Sequence, residues 1–206
     1  MDGKHICFCG LDGSGKTTQA GYLQKYIIEK GGKSEIIHGF KPGKYNTSLK
    51  EYAEKNGNSF REAYNDTIRS ISYICDMYEV YYEKIEPLLC NGYIVISDKF
   101  VMDSLVNAPL LGANEKMLYD FASTIPDPML YIYMDITPDE AYNRVLKRNT
   151  PDSGSRKNRK EFMEKVYIVY KELENKYDNV VRINALKSET EIRTDIINLI
   201  EERNII

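Results

Sequence analysis

No run of apolar residues in this 206-residue chain is long enough for a transmembrane helix. The longest, near Met129 to Met134, falls far short of the ~20 residues that a bilayer requires. No charged-then-apolar segment opens the sequence, so the expectation is a cytosolic protein. Charge of one sign is scarce as well: 28 Lys and Arg face 31 Asp and Glu, interspersed, for a formal charge of −3. The broad basic field that would make nucleic acid the obvious partner is missing. Cysteines are few, and Cys7, Cys9, Cys75 and Cys90 fall at apolar positions. Cys7-x-Cys9 alone lacks metal-ligand spacing, so the reading is reduced, buried thiols, with neither disulfides nor a metal site. There is no internal repeat and no low-complexity tract, and the length suits one domain over residues 1–206.

What is present is a phosphate-binding loop. Gly10-Leu11-Asp12-Gly13-Ser14-Gly15-Lys16-Thr17 fits G-x-x-x-x-G-K-[ST] in the order that motif needs: the apolar run His5 to Cys9 precedes it, and a helical pattern from Lys16 to Glu29 follows. The residue types are those the chemistry demands. Glycines let backbone N–H groups close around an anion, and the helix N-terminus adds a favourable dipole. Lys16 neutralises the β- and γ-phosphates, and Thr17 has a hydroxyl for Mg²⁺. The alternative, a glycine-rich turn with a solvated lysine, leaves the agreement of eight positions and both flanks unexplained.

Four more strands are expected at Ser34 to Ile37, Tyr93 to Ser97, Met129 to Asp135 and Val180 to Ile183, separated by helical or mixed segments. That alternation predicts a parallel sheet covered by helices. A long helix is predicted from about Thr67 to Leu89, with Ile68, Ile71, Ile74, Cys75, Tyr78, Tyr81, Tyr82 and Ile85 as one core-facing stripe. Others are predicted after the start signal Thr137-Pro138-Asp139-Glu140, over Phe162 to Lys176, and over Glu189 to Glu202. His38 to Asn58 reads as a polar, turn-rich insertion on the substrate side of the sheet.

Ligands of open parallel sheets sit beyond the carboxyl ends of the strands. There the sequence offers Ser97-Asp98-Lys99-Phe100, an apolar run ending in an aspartate suited to hold Mg²⁺ opposite the phosphate loop. Beyond the fourth strand, Arg144, Arg148, Arg156, Lys157, Arg159 and Lys160 surround Asn149 to Ser155, a basic flap able to close over transferring phosphate. A solvated charged face is the bland reading of that run by itself. Asn175-Lys176-Tyr177-Asp178 imitates the guanine-reading element of GTPases but ends a helix, and no Asp-x-x-Gly follows Asp98.

Together these motifs resemble the thymidylate kinase family of nucleoside monophosphate kinases, over nearly the whole chain. The resemblance rests on the loop through Thr17-Thr18-Gln19, Asp98-Lys99-Phe100 in place of Asp-Arg-Tyr or Asp-Arg-His, and Pro126-Asp127-Pro128. It rests also on Thr137 to Ala141 running into Arg144 and Arg148, and on Asn184-Ala185-Leu186. It implies an α/β, three-layer P-loop fold: a five-stranded parallel sheet flanked by helices, with a lid at about 148–160. It further implies ATP as donor, Mg²⁺, a nucleoside monophosphate acceptor and a homodimer. The implied ATP-binding residues are Gly10, Asp12, Gly13, Ser14, Gly15, Lys16, Thr17, Thr18, Arg148 and Ala185, with Thr17 and Asp98 on the metal. Lys16, Asp98, Lys99, Arg156 and Arg159 are the implied transfer residues, because arginines occur in the lid and not in the loop.

For the acceptor the resemblance implies Asp12, Phe40, Lys41, Arg69, Tyr73, Met77, Lys99, Ser104 and Asn107, and here the chain departs from the family. Met77 replaces an arginine, Asn107 a tyrosine, Ala108 a common glutamine, and Lys99 an arginine. Lost hydrogen-bonding partners mean lost selectivity. Phosphorylation of dTMP is therefore the first expectation, with a different nucleotide-like acceptor as the alternative. A non-catalytic nucleotide-binding module is the third reading.

Overall fold

The computed structural model describes residues 3–39, 43–107, 110, 112–147 and 156–206. Five parallel strands form one sheet: β1 (Lys4–Cys9), β2 (Ser34–His38), β3 (Ile94–Asp98), β4 (Leu130–Asp135) and β5 (Val180–Asn184), in the order β2-β3-β1-β4-β5. The three central strands are buried almost end to end. This is why they read as continuous apolar runs: helices cover both faces of a parallel sheet. Helices α1 (Lys16–Glu29) and α10 (Glu189–Glu202) pack together on one side. The other layer contains α4 (Asp66–Val80), α5 (Glu86–Cys90), α6 (Val101–Asn107), α7 (Glu115–Ala122) and α9 (Arg156–Glu174). The short α3 (Phe60–Ala63) leads into α4, and α8 (Pro138–Lys147) packs on α9.

The predicted helix of Thr67 to Leu89 is α4 and α5 joined by a π-turn, Tyr81–Ile85, in which the Glu86 N–H reaches the Tyr81 carbonyl. Pro87 supplies a reason, since its ring would collide with the carbonyl four residues back and a widened turn relieves that. Its predicted single stripe is in fact two. Ile74, Met77, Tyr81 and Ile85 enter the core, whereas Ile68, Tyr78 and Tyr82 are exposed and Ile71 and Cys75 half-buried.

The polar insertion contains an unpredicted helix, α2 (Lys44–Lys55). Its N-terminus is capped from across the fold: buried Asp76 of α4 accepts from the N–H groups of Tyr45 at 2.8 Å and Asn46 at 3.3 Å. Gly43 is required beside it, because a Cβ there would run into the Asp76 carboxyl. Helix α9 begins at Arg156, six residues before the expected start at Phe162. Arg156 and Arg159 therefore stand in a first helical turn, not in a loose flap. Of the cysteines, Cys7 and Cys9 are buried with their thiols pushed up by burial, but Cys90 is exposed, on the outer end of α5. Among the described residues no helix is long and apolar enough to cross a membrane.

One buried polar residue couples the core to pH. His5 meets Ser97 Oγ through Nε2 at 2.5 Å and lies edge-to-face with Phe100, ring centroids 5.0 Å apart. Burial lowers its pKa from 6.5 to about 3. At intermediate pH the unfolded chain binds a proton here that the folded protein does not, so stability is full above about pH 6.5 and falls as pH drops. The slope from His5 alone should approach about 1.4 kcal/mol per pH unit. Urea unfolding at pH 7 and pH 5 should show a flatter dependence for His5→Gln, and equal slopes would refute a neutral buried imidazole. Asp76→Ala should cost about 2 kcal/mol or more, because it leaves the N–H groups of Tyr45 and buried Asn46 without an acceptor. Hydrogen exchange should show the loss concentrated in α2.

Candidate active site

The site lies at the carboxyl ends of β1 and β3. The parallel register sets Phe8 of β1 and His38 of β2 on either side of Asp98. After β1 the chain turns through the glycine loop and enters α1 from Gly15, which has left-handed backbone (φ 94°). Gly13 is the loop residue for which size matters most: its φ is 90°, and a Cβ would sit 2.5 Å from the Ala141 carbonyl of α8. Glycine is thus the condition for α8 to close on the loop. Ser14 is fully buried, and its hydroxyl has no partner among the described residues. That is the state expected of a donor waiting for a phosphate oxygen.

Lys16 is also buried, and its ammonium donates to the Gly10 and Leu11 carbonyls, both at 2.8 Å. Its pKa is lowered, first by burial and then by the nearby Lys99. Thr17, exposed at the start of α1, donates its hydroxyl to Asp98 Oδ2 at 2.5 Å. These two hard oxygen donors, beside a loop built for phosphate, fit Mg²⁺, which takes one or two protein oxygens and completes its shell with water and phosphate. A dedicated cage is absent: no group of three His, Cys, Asp or Glu residues suited to a metal exists among the described residues. His38 Nδ1 stands 3.5 Å from the same Asp98 oxygen.

The next residue breaks the alternation of the strand. Lys99 has left-handed backbone (φ 68°), a conformation costly for a residue with a Cβ. Its N–H is held by the Phe8 carbonyl at 3.0 Å. On the other side its own carbonyl presses on Gly39, where a Cβ could not fit. The kink sends the Lys99 ammonium to Asp12 Oδ1 at 2.8 Å, across the mouth of the phosphate loop. Burial alone would lower the Lys99 pKa, but Asp12, Asp103 and Asp98 outweigh it and the net shift is upward. Asp103 of α6 is itself pushed up by burial, against the pull of Lys99 and Lys16. It accepts from the Phe100 N–H at 3.1 Å and from the Tyr170 hydroxyl at 2.6 Å.

The structure thus gathers Gly10, Asp12, Gly13, Ser14, Gly15, Lys16, Thr17, Asp98 and Lys99. Thr18 is exposed one residue further along α1, while Ala185 is buried after β5, its N–H on the Asp135 carbonyl at 2.8 Å. Among the expected acceptor residues, Tyr73 is half-buried and Arg69 is ion-paired with Asp66 one turn earlier. Met77 is fully buried behind Gly39, and Ser104 is buried with no partner for its hydroxyl among the described residues. Phe40, Lys41 and Arg148 lie outside the described residues, as do the side chains of Asn107, Arg156 and Arg159. Sequence reasoning missed His38, Asp103 and Tyr170. His38 could have been found by aligning strand ends, whereas Asp103 and Tyr170 meet only in three dimensions.

The family model described as thymidylate kinase matches residues 8–196, which include every residue of this site. A thymidylate kinase of Thermoanaerobacter sp. (strain X514) is 31% identical, covering 98% of this chain and 99% of its own length. One from Francisella tularensis subsp. holarctica is 30% identical, covering 98% and 97%. A probable thymidylate kinase of Staphylothermus marinus is 30% identical over 84% and 88%. With the phosphate loop, the strand-end aspartate and the parallel sheet all in place, the chain belongs to the thymidylate kinase family of nucleoside monophosphate kinases.

Proposed function

We propose that the protein transfers the γ-phosphoryl group of ATP to dTMP, giving dTDP and ADP. The observation that carries this reading is the meeting of Lys16, Thr17, Asp98, Lys99 and Asp12 at one strand-end corner. Thr17 and Asp98 would hold Mg²⁺, which when bound supplies positive charge to the ATP phosphates. An oxygen of the acceptor phosphate attacks the γ-phosphorus, and the bond from that phosphorus to the β,γ-bridging oxygen breaks. The second pKa of such a phosphate is about 6, so the nucleophile is already deprotonated at neutral pH and no general base is needed. Protein residues have only to position two anions and neutralise them. The loop N–H groups and the Ser14 hydroxyl cradle the donor. Lys16 exchanges its two carbonyl partners for phosphate oxygens. Lys99, aimed across the loop mouth, draws the acceptor phosphate toward the donor. Arg156 and Arg159, from the first turn of α9 at the edge of the lid of residues 148–160, stabilise the charge of the moving group. Tyr73 offers an aromatic face to the base.

A second acceptor remains a specific alternative, because Met77 is apolar and fully buried where the family pattern has an arginine. Initial rates of ADP formation from Mg-ATP against dTMP, dUMP, UMP, CMP, AMP and GMP decide between them. dTMP should be preferred by at least tenfold, and a higher rate elsewhere would replace it. Arg156→Ala combined with Arg159→Ala should lower kcat about 10³-fold while ATP binding persists. Full activity in that variant would remove the arginines from the mechanism, and silence of the unaltered protein across the panel would favour a binding module.

We also infer a cytosolic homodimer, as a single-domain subunit, formed through α4. Helix α4 and the π-turn after it carry a second apolar stripe, Ile68, Ile71, Cys75, Tyr78 and Tyr82, at alternating spacings of three and four, while the other stripe already fills the core. A helix of a solitary subunit needs only one such face. Antiparallel pairing with a second copy about a two-fold axis would cover the exposed one. Light scattering should give a dimer mass for the unaltered protein and a monomer mass for Tyr78→Glu combined with Tyr82→Glu. A monomer in both would refute the interface.

A further inference from the structure

Helix α9 carries Arg156 and Arg159 in its first turn and Tyr170 eleven residues beyond Arg159, ~16 Å along the axis at 1.5 Å per residue. Tyr170 is 4% exposed. Its hydroxyl donates to Asp103 Oδ1 at 2.6 Å and stands 3.5 Å from the Gly10 carbonyl, which also accepts from Lys16 at 2.8 Å. The other Asp103 oxygen accepts from the Phe100 N–H, directly after Lys99. One phenol hydroxyl therefore joins three segments: the arginine-bearing helix, the first residue of the phosphate loop, and the turn from β3 into α6. Its ring is fixed independently, stacked on Tyr133 with centroids 5.2 Å apart and planes 21° from parallel.

We propose that the Tyr170–Asp103 hydrogen bond is a positioning pair for phosphoryl transfer. It sets the tilt and axial register of α9, and so where the backbone of the helix's first turn, which carries the two arginines, stands relative to the phosphate loop and Lys99. The proposal rests on the reading of Arg156 and Arg159 given above. Lys171, which donates to Asp135 of β4 at 2.7 Å, and Glu174, which accepts from Arg182 of β5, also anchor α9, but both lie on the far side of Tyr170 from the arginines. Met163, Val166 and Val169 are buried beside Tyr170, but apolar packing is non-directional and selects a face more firmly than a register. The Lys160–Asp139 ion pair near the helix start is exposed, a class of interaction worth little. A buried hydrogen bond to a carboxylate is short, directional and roughly twice as strong as a neutral one. Leverage makes it matter: a tilt of about 5° at Tyr170 moves a group ~16 Å away by about 1.4 Å, and misplacement by about 1 Å can cost 10²-fold in rate.

Tyr170→Phe removes a single oxygen and leaves the stacked ring. Its kcat with Mg-ATP and dTMP should fall at least tenfold, with ATP affinity within threefold and little change in melting temperature. Placed on top of Arg156→Ala and Arg159→Ala, the same substitution should change kcat by less than twofold, because no arginine is left for the tie to aim. An unchanged kcat in Tyr170→Phe, or losses that multiply in the triple variant, would overturn the tie. The two readings fail differently: full activity in the double arginine variant removes the arginine reading and the tie with it. Loss there with full activity in Tyr170→Phe removes the tie alone. If Tyr170→Phe does not fold, Asp103→Asn, which retains an acceptor for the hydroxyl, should keep most of the kcat lost in Asp103→Leu. Equal losses in those two variants would also overturn the proposal.

Discussion

Two lysines and three aspartates share one corner of this molecule, with Lys16 and Asp103 buried and Asp12 exposed at its mouth, and the balance among their charges is the constraint on which the site depends. An isolated ion buried in protein costs several kcal/mol, so buried Lys16 and Asp103 are not tolerable without compensating partners. Lys16 rests on two carbonyls, Lys99 on Asp12, and Asp103 faces both ammonium groups. Loop carbonyls are modest partners for a buried cation, and that modesty is useful. On the proposed reading, incoming phosphate oxygens offer Lys16 full negative charge at little reorganisation, because the cation is already desolvated and aimed. On the same reading, Asp12 likewise holds Lys99 at the loop mouth until an acceptor phosphate competes for it.

The fold delivers these groups by register more than by local sequence. Parallel pairing puts Phe8, Asp98 and His38 at one level across three strands. Side chains on a strand alternate between faces, so Asp98 and Lys99 would ordinarily diverge. The left-handed kink at Lys99 lets both serve one cavity, and it persists because the Phe8 carbonyl holds its N–H and a bare Gly39 gives its carbonyl room. Gly39 therefore acts at a distance in sequence: any side chain there would push against Lys99 and relax the geometry that aims its ammonium. The strain of roughly 1 kcal/mol or more is sustained by the two neighbouring strands.

The sequence made the sheet legible because buried parallel strands are compact apolar runs bounded by turns, and all five fall within about two residues of expectation. The phosphate loop and Asp98 were legible for a related reason, since their function requires consecutive residues at a strand end. The misses have a common cause in long-range partners. Helix α2 was hidden because its cap, Asp76, comes from another helix. The start of α9 was hidden because Arg156 to Glu161 are polar and carry no apolar period, although Arg, Lys and Glu are good helix formers. The stripe of α4 was read as one face because spacing alone cannot distinguish residues that enter the core from those a few tens of degrees around the helix. Asp103 looked like an unremarkable residue of an unpredicted helix, and only its contact with Tyr170 gives it a role.

The acceptor end follows a different logic from the donor end. On the proposed reading, charge supplies most of the binding energy through Lys99 and the arginines, and these contacts are indifferent to the base. Selectivity must then come from the walls. An apolar wall rejects a wrong base only by shape, a discrimination of about 1–3 kcal/mol, whereas a polar group left unpaired by the wrong ligand rejects it far more strongly. Ser104 is the group in this region with that property, buried and with an unsatisfied hydroxyl among the described residues. A hydroxyl both donates and accepts, so it can read a base edge without dictating one hydrogen-bond polarity. With Met77 withdrawn into the core where the family pattern has an arginine, the proposed reading leaves Ser104 to make the polar contact, and the outline of a flat ring then counts for more than a fixed pattern of acceptors.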